Sequence, residues 1–375
     1  MTNPNFNRRS FLLGAGAAAV GGPAFLAACG SGSSSGAGGA SGSTVNFANW
    51  PLYIEDDKKP TKGATLSGFT KSTGIKVNYK VAIEDNNDFT EKSKGLLKKG
   101  GYIGYDVAVL TSWMVSRWIA NGWVETFDDA NISNKKNVLA NLASPSFDAT
   151  RSKSLPYALG QVGIAYYPEK VGFEITSVKQ LLDPKIKGRV TLLSEVRDCV
   201  GLFMLANGAD PSKPDLPAAK TAIDTIGKAR DAGQFRAIKG NSYIEDLGLG
   251  DVYAAVAWSG DVASIQAQHP DLKWVLPPEG AMSFVDTFVI PKGAKNKAGA
   301  EKLINYFYDP VVSGPLFETI QYVSPVTGAS DHMSAAGAKN PLVNPPADAK
   351  IYEFADLSET DAAELDKLYD EATKL

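Results

Sequence analysis

Histidine and cysteine are almost missing from this sequence, and their scarcity removes the commonest carriers of metal and acid/base chemistry. Only His269, His332, Cys29 and Cys199 occur in 375 residues. None forms an H-E-x-x-H or C-x-x-C spacing, so no metal ligand set, no catalytic histidine and no cofactor are expected. Two cysteines cannot build a disulfide framework, and Cys199 reads as a buried, inert thiol. A surplus of one charge is wanting as well: 38 Lys and Arg face 41 Asp and Glu, a net charge of -3. That balance offers no basic surface to nucleic acid. The apolar stretch before Cys29 is short and rich in glycine, whereas a membrane-spanning helix needs roughly 20 apolar residues. A G-x-S-x-G match at Gly32 to Gly36 lacks the strand-turn-helix setting of a nucleophile elbow and is a compositional coincidence.

What the N-terminus does contain is an export signal. Arg8 and Arg9 precede Phe11-Leu12-Leu13 and a run of small and apolar residues, with no acidic side chain before Cys29. Residues 1–28 are therefore read as a signal peptide. Leu26-Ala27-Ala28-Cys29 resembles a bacterial lipobox, which implies cleavage before Cys29 and a diacylglycerol on its thiol. Asn7 to Leu13 also resembles a twin-arginine signal, and the choice between that route and the general one stays open. Residues 30–43 are all Gly, Ser or Ala, a composition that forms a flexible tether. The expected location is extracytoplasmic, lipid-anchored through Cys29 to the outer face of the cell membrane.

From Thr44 onward about 330 residues remain, more than one core usually organises, so two lobes are expected. Short apolar runs alternate with amphipathic stretches, the pattern of α/β architecture. Predicted strands cover 44–49, 75–79, 105–110, 162–167, 189–193, 252–258, 273–276 and 284–290. Predicted helices cover 65–73, 88–98, 113–120, 177–182, 195–207, 217–232, 298–308 and 358–374, the helix at 298 stopping at Asp309-Pro310.

Aromatic and acidic residues gather at the ends of these strands, where open α/β sheets place ligands: Trp50, Tyr53, Trp113, Glu195, Asp198, Trp258, Asp261, Phe284, Asp286 and Tyr322. Ring faces attract an ammonium and carboxylates bond it, so the set suits an organic cation and repels an anion. Most of these residues also have a plainer reading, Trp50 least so, since it lies in a loop directly before Pro51. Glu195 and Asp198, in the first helical turn behind Ser194, complement the helix dipole. Trp258, Tyr53, Phe284 and Tyr322 fit core packing. Asp286 sits in an apolar strand, where a carboxylate is costly unless a bound ammonium or an arginine such as Arg197 relieves it.

From Val45 to Tyr322 the chain resembles the bacterial spermidine/putrescine-binding proteins, the extracytoplasmic receptors of polyamine ABC transporters. Phe47-Ala48-Asn49-Trp50-Pro51-Leu52-Tyr53 is similar to the family's first strand and N-W-x-x-Y loop. Tyr105 to Val109 with Thr111-Ser112-Trp113 is similar to its third strand and ligand loop. Ser194 to Asp198 falls on its acid-bearing helix start, and Ala257-Trp258-Ser259-Gly260 on its W-x-G loop. Pro278-Glu279-Gly280, Phe284-Val285-Asp286 and Ile290-Pro291 follow the P-x-E-G-x-x-x-W-x-D-x-x-x-I-P segment, and Glu318 to Tyr322 the last contact loop.

The resemblance implies a type II periplasmic-binding-protein fold with two lobes, each a mixed β-sheet flanked by helices, and a ligand cleft between them. Lobe 1 would span 44–160 with 286–332 returning to it, and lobe 2 161–285 with 333–375 returning. Trp50, Tyr53, Trp113, Trp258, Phe284 and Tyr322 would sandwich a methylene chain, Glu195, Asp198 and Asp286 would take its amino groups, and Thr111 would join them from the ligand loop. The implied partners are a polyamine and the permease and ATPase of an ABC transporter, and the protein itself would be a monomer and not an enzyme. Several positions depart from the family pattern. Glu195 and Asp198 stand in reversed order, Phe284 replaces tryptophan, Trp113 replaces tyrosine, and the distal glutamine has at most Asp356 in its place. Another cationic amine or an amino-acid-like solute is the alternative ligand. An anchored carboxylate-dependent hydrolase is the alternative class, weakened because Glu195 and Asp198 lie three apart on one helix and could not easily flank a bond.

Overall fold

The computed structural model describes residues 43–213, 215–343, 349–355 and 357–374. Cys29, the signal segment and all but the last residue of the tether lie outside the described residues, as does Asp356. The strands are β1 (Thr44–Asn49), β2 (Lys76–Val81), β3 (Val107–Thr111), β4 (Ser154–Tyr166), β5 (Val190–Leu193), β6 (Phe235–Lys239), β7 (Ala254–Trp258), β8 (Lys273–Val275), β9 (Ala281–Val289) and β10 (Ile351–Glu353). The helices of the first half are α1 (Ala64–Thr73), α2 (Asn86–Leu97), α3 (Ser112–Ala120), α4 (Pro168–Val171) and α5 (Val196–Ala206). Those of the second are α6 (Leu216–Asp231), α7 (Tyr243–Gly248), α8 (Ser259–Gln266), α9 (Lys297–Phe307), α10 (Pro310–Ile320) and α11 (Glu359–Thr373).

Local chemistry sets several of these boundaries. Gly74, at φ 73, ends α1 in the left-handed conformation that glycine adopts without a Cβ clash. Asp85 starts α2 by accepting hydrogen bonds from the backbone of Asn87 and Asp88 at 2.8 and 3.0 Å. Asp309-Pro310, read from sequence as a stop, is both an end and a beginning. Asp309 caps α10, accepting from Val311 N at 3.0 Å, and Pro310 occupies the first turn, where its missing N–H has no partner to lose. Strand β4 begins at Ser154, well before the predicted Val162. Pro156 argues against a strand in sequence, and a register shift between Pro156 and Ala158 accommodates it.

The strands run in the order β2-β1-β3-β9-β4-β7-β5-β6, with β10 added to β9 and β8 to β4. Long β4 and β9 pair antiparallel from Ser154 opposite Val289 to Val162 opposite Met282. They cross between two apolar cores. The first gathers β1 to β3, α1 to α3, α9, α10 and the ends Leu155 to Ala158 and Phe288 to Ile290. The second gathers β5 to β7, α5, α6, α8, the opposite ends Val162 to Tyr166 and Met282, and Leu365 and Tyr369 of α11. Two cores joined by shared strands make the two-lobed α/β fold. In the first core the Phe47 ring lies 5.2 Å from Tyr79 and 5.9 Å from Phe288, an aromatic cluster worth several kcal/mol of burial.

One buried acid ties the first lobe together. Asp106 accepts from Asn46 N at 2.8 Å, Lys295 N at 2.9 Å and Asn296 N at 3.0 Å, so it joins β1 to the turn before α9. Asp106→Ala leaves those donors without their charged acceptor, and a loss of about 2 to 4 kcal/mol in urea unfolding is expected. A change below about 1 kcal/mol would contradict this role.

Candidate functional site

The C-terminal ends of β1, β3, β5 and β7 and the crossing of β9 with β4 meet around one cavity of about 390 Å³. The ten residues expected as ligand contacts all line it, namely Trp50, Tyr53, Thr111, Trp113, Glu195, Asp198, Trp258, Phe284, Asp286 and Tyr322, whereas Asp261, also singled out from the sequence, does not.

Asp286 stands in β9 opposite Thr111 of β3, and its side chain is buried. Tyr53 Oη donates to one carboxylate oxygen at 2.6 Å and Thr111 Oγ1 to the other at 2.8 Å. Asn86, the first residue of α2, fixes Thr111 in turn: its Nδ2 donates to Thr111 Oγ1 at 2.9 Å, and Thr111 N donates to its Oδ1 at 3.1 Å. Burial pushes the Asp286 carboxyl up to about 6, and the two hydroxyl donors hold it from rising further. Arg197, the alternative partner for this acid, pairs with Asp366 instead.

Across the cavity Asp198 is buried in the first turn of α5 and accepts from Trp258 Nε1 at 2.7 Å. Glu195 is half-buried at the N-cap position of α5, one residue later than the cap read from sequence, and makes no capping hydrogen bond there. Burial raises both carboxyls, Glu195 further through repulsion by Asp198, with Arg197 opposing. Behind this pair Asp261 is buried, accepts from Tyr243 Oη at 3.0 Å and Tyr322 Oη at 3.4 Å, and is raised to about 7 by burial.

The rings form a connected wall: Tyr53 and Tyr322 have centroids 4.9 Å apart, Tyr322 and Phe284 6.3 Å, and Phe284 and Trp258 6.4 Å. Glycine makes two of these placements possible. A Cβ on Gly160 would overlap the Phe284 ring, and one on Gly260 the Tyr322 ring. Trp50 is fixed by donating from Nε1 to Val109 O at 3.0 Å. Trp113 differs from the others, since the guanidinium of Arg197 lies 3.8 Å from its ring centroid and that of Arg117 4.7 Å. Its Nε1 is buried without a hydrogen-bond partner among the described residues.

Sequence reasoning missed other lining residues. Asn86 carries no charge or periodicity to mark it. Arg151 and Phe147 come from an irregular segment before β4, in which Arg151 adopts φ 50 and donates twice to Leu142 O. Counting the lining, six acids (Glu84, Asp85, Glu195, Asp198, Asp286 and Glu353) face Arg151 and Arg197, so the cavity favours a cationic occupant. Among the described residues no group of three His, Cys, Asp or Glu could hold a metal ion, and no helix is long and apolar enough to cross a membrane.

The family described as bacterial extracellular solute-binding protein matches residues 64–345. Spermidine/putrescine-binding periplasmic protein 1 of Haemophilus influenzae is 30% identical over 312 residues, 82% of each chain. The putrescine-binding periplasmic protein PotF of Escherichia coli is 29% identical over 335 residues, 83% of this chain and 85% of PotF. In fold, the chain is similar to the spermidine/putrescine ABC transporter substrate-binding protein PotD of Streptococcus pneumoniae, with TM-score 0.71 and 22% identity over 88% of this chain and 99% of that one.

Thr111 lowers the Asp286 pKa by stabilising the ionised carboxylate, so Thr111→Val is expected to move the Asp286 titration upward from about 6. Carboxyl carbon NMR of the ligand-free protein reads this directly. An unchanged or lowered midpoint would count against the hydrogen bond.

Proposed function

The chain belongs to the bacterial extracellular solute-binding proteins, and from that membership we propose that it captures putrescine or spermidine outside the cell membrane and hands it to an ABC permease with its ATPase. The observation that carries this reading is the buried Asp286, facing Asp198 and Glu195 across a cavity walled by Tyr53, Tyr322, Phe284 and Trp258. Carboxylates buried without a countercharge are costly, and an ammonium at each end of the cavity removes that cost. A charge-assisted hydrogen bond contributes about 1.5 to 3 kcal/mol and a ring contact about 0.5 to 2 kcal/mol. Two of the first and two or three of the second give about 4 to 12 kcal/mol before the entropy of immobilisation is deducted, so the roughly 8 kcal/mol of micromolar binding needs contacts at the upper end of both ranges. The names of the relatives support the same ligand class.

The ten lining residues are its contacts, and binding breaks no bond. Lobe 1 is taken as residues 44–160 with 286–332, and lobe 2 as 161–285 with 333–375, a division the two apolar cores support except at Met333, which packs against the first. A monomer held on the membrane by diacylglycerol on Cys29, tethered by residues 30–43, completes the reading.

A second ligand class has a specific observation behind it: Arg151 and Arg197 line the same cavity, and a guanidinium suits the carboxylate of an amino-acid-like solute. Calorimetry with putrescine, spermidine and an ω-amino acid of similar length separates the two. A micromolar or tighter amine with a silent amino acid is the expected result. The opposite order would establish the second ligand, and silence from all would overturn both.

The raised Asp286 pKa fixes the sign of two pH effects. An ammonium binds the ionised carboxylate, so affinity is expected to fall by up to about tenfold per unit as pH drops below about 6. In the ligand-free protein the folded state holds this proton more tightly than the unfolded chain does, so stability falls as pH rises from about 4 to about 6 and stays lower above that. Asp286→Asn is expected to flatten part of that stability profile while weakening putrescine binding by about 2 to 4 kcal/mol. Binding that kept its strength in the variant would remove Asp286 from the site.

A further inference from the structure

Asp366 lies on α11, beside the second core, and does not line the main cavity. Its carboxylate is nonetheless shared between the two lobes. Arg197 Nη1 of α5 meets Asp366 Oδ1 at 3.4 Å, and Arg117 Nη2 of α3 meets Asp366 Oδ2 at 3.4 Å. Arg117 and Trp113 lie one helical turn apart on α3, in the first lobe. The Trp113 ring lies 3.8 Å from the Arg197 guanidinium and 4.7 Å from that of Arg117. Two guanidiniums beside one indole repel each other unless an anion lies between them, and Asp366 supplies it. The Arg197 side chain is 8% exposed and that of Asp366 21%, so this contact is poorly screened by salt.

We infer that Asp366 is a positioning residue: it holds Arg197 and Arg117 against Trp113 as a latch across the cleft, and the latch sets how slowly the ligand leaves. This rests on the receptor reading above. Arg197 stands between Glu195 and Asp198 in sequence, on the same turn of α5. Arg197 engages Asp366 and Trp113, and an ammonium at Glu195 and Asp198 takes up the acids that compete for the Arg197 guanidinium, so occupancy strengthens the closed arrangement. The assembly joins side chains of both lobes, so on this proposal it must break before they part, and it acts on release more than on capture.

Stopped-flow kinetics with putrescine test this on the full chain. Asp366→Asn and Arg117→Ala are each expected to raise the dissociation rate about tenfold while the association rate stays within about twofold. The double variant is expected to be no worse than either single one, and Asp366→Glu to restore most of the slow release. A merely structural role would lower the melting temperature and alter both rates, and unchanged release would dismiss the latch; either result overturns the inference. If the wild-type protein takes up no amine, the ligand reading has failed and the latch is read separately. Spin labels on the two lobes of the ligand-free protein are then expected to show a broader, longer distance in Asp366→Asn than in wild type, and identical distributions would overturn it.

Discussion

A carboxylate held away from water needs a positive partner or a proton, and this cleft is built on that constraint. Asp286 sits where β3, β4 and β9 meet, at the crossing of the two cores, with its oxygens taken by Tyr53 and Thr111. Two neutral hydroxyls ease the burial without cancelling the charge, and the carboxyl titrates near 6 as a result. On the proposed reading, the cost of burial that remains is what an arriving cation relieves.

The fold serves this arrangement in recognisable ways. Parallel strands of each lobe deliver Trp50, Thr111, Glu195 and Trp258 from their C-terminal ends to one side of the sheet. The long antiparallel pair β4 and β9 joins the lobes, and Gly160 on one strand gives Phe284 on the other room to lie across the junction. Tyr322 follows the end of α10, which Gln321 caps at φ 60, and its Oη donates to Asp261 at 3.4 Å. On the proposed reading, acids on both lobes select for charge and the rings between them for an apolar chain.

Much of this could be read from the chain itself, because acids and tryptophans at strand ends are out of place in an ordinary core. Asp286 stood out for that reason, and so did the order of aromatic and acidic motifs along the sequence. What could not be read was whatever carries no local signature. Asn86 is an unremarkable amide whose role exists only once α2 and β3 meet. Pro310 hid α10 by looking like a terminator, and Pro156 hid the first half of β4. Asp366 looked like one more acid on the polar side of a C-terminal helix, since its partners Arg117 and Arg197 lie 249 and 169 residues away.

The most direct test of the central claim is the number of protons released when putrescine binds at about pH 6, measured by calorimetry in buffers of different ionisation enthalpy. An arriving ammonium binds the ionised form, so carboxyls raised by burial must give up their protons to the buffer, and net release of a substantial fraction of a proton is predicted. Binding with no release, or with uptake, would mean that the buried acids do not hold the ligand.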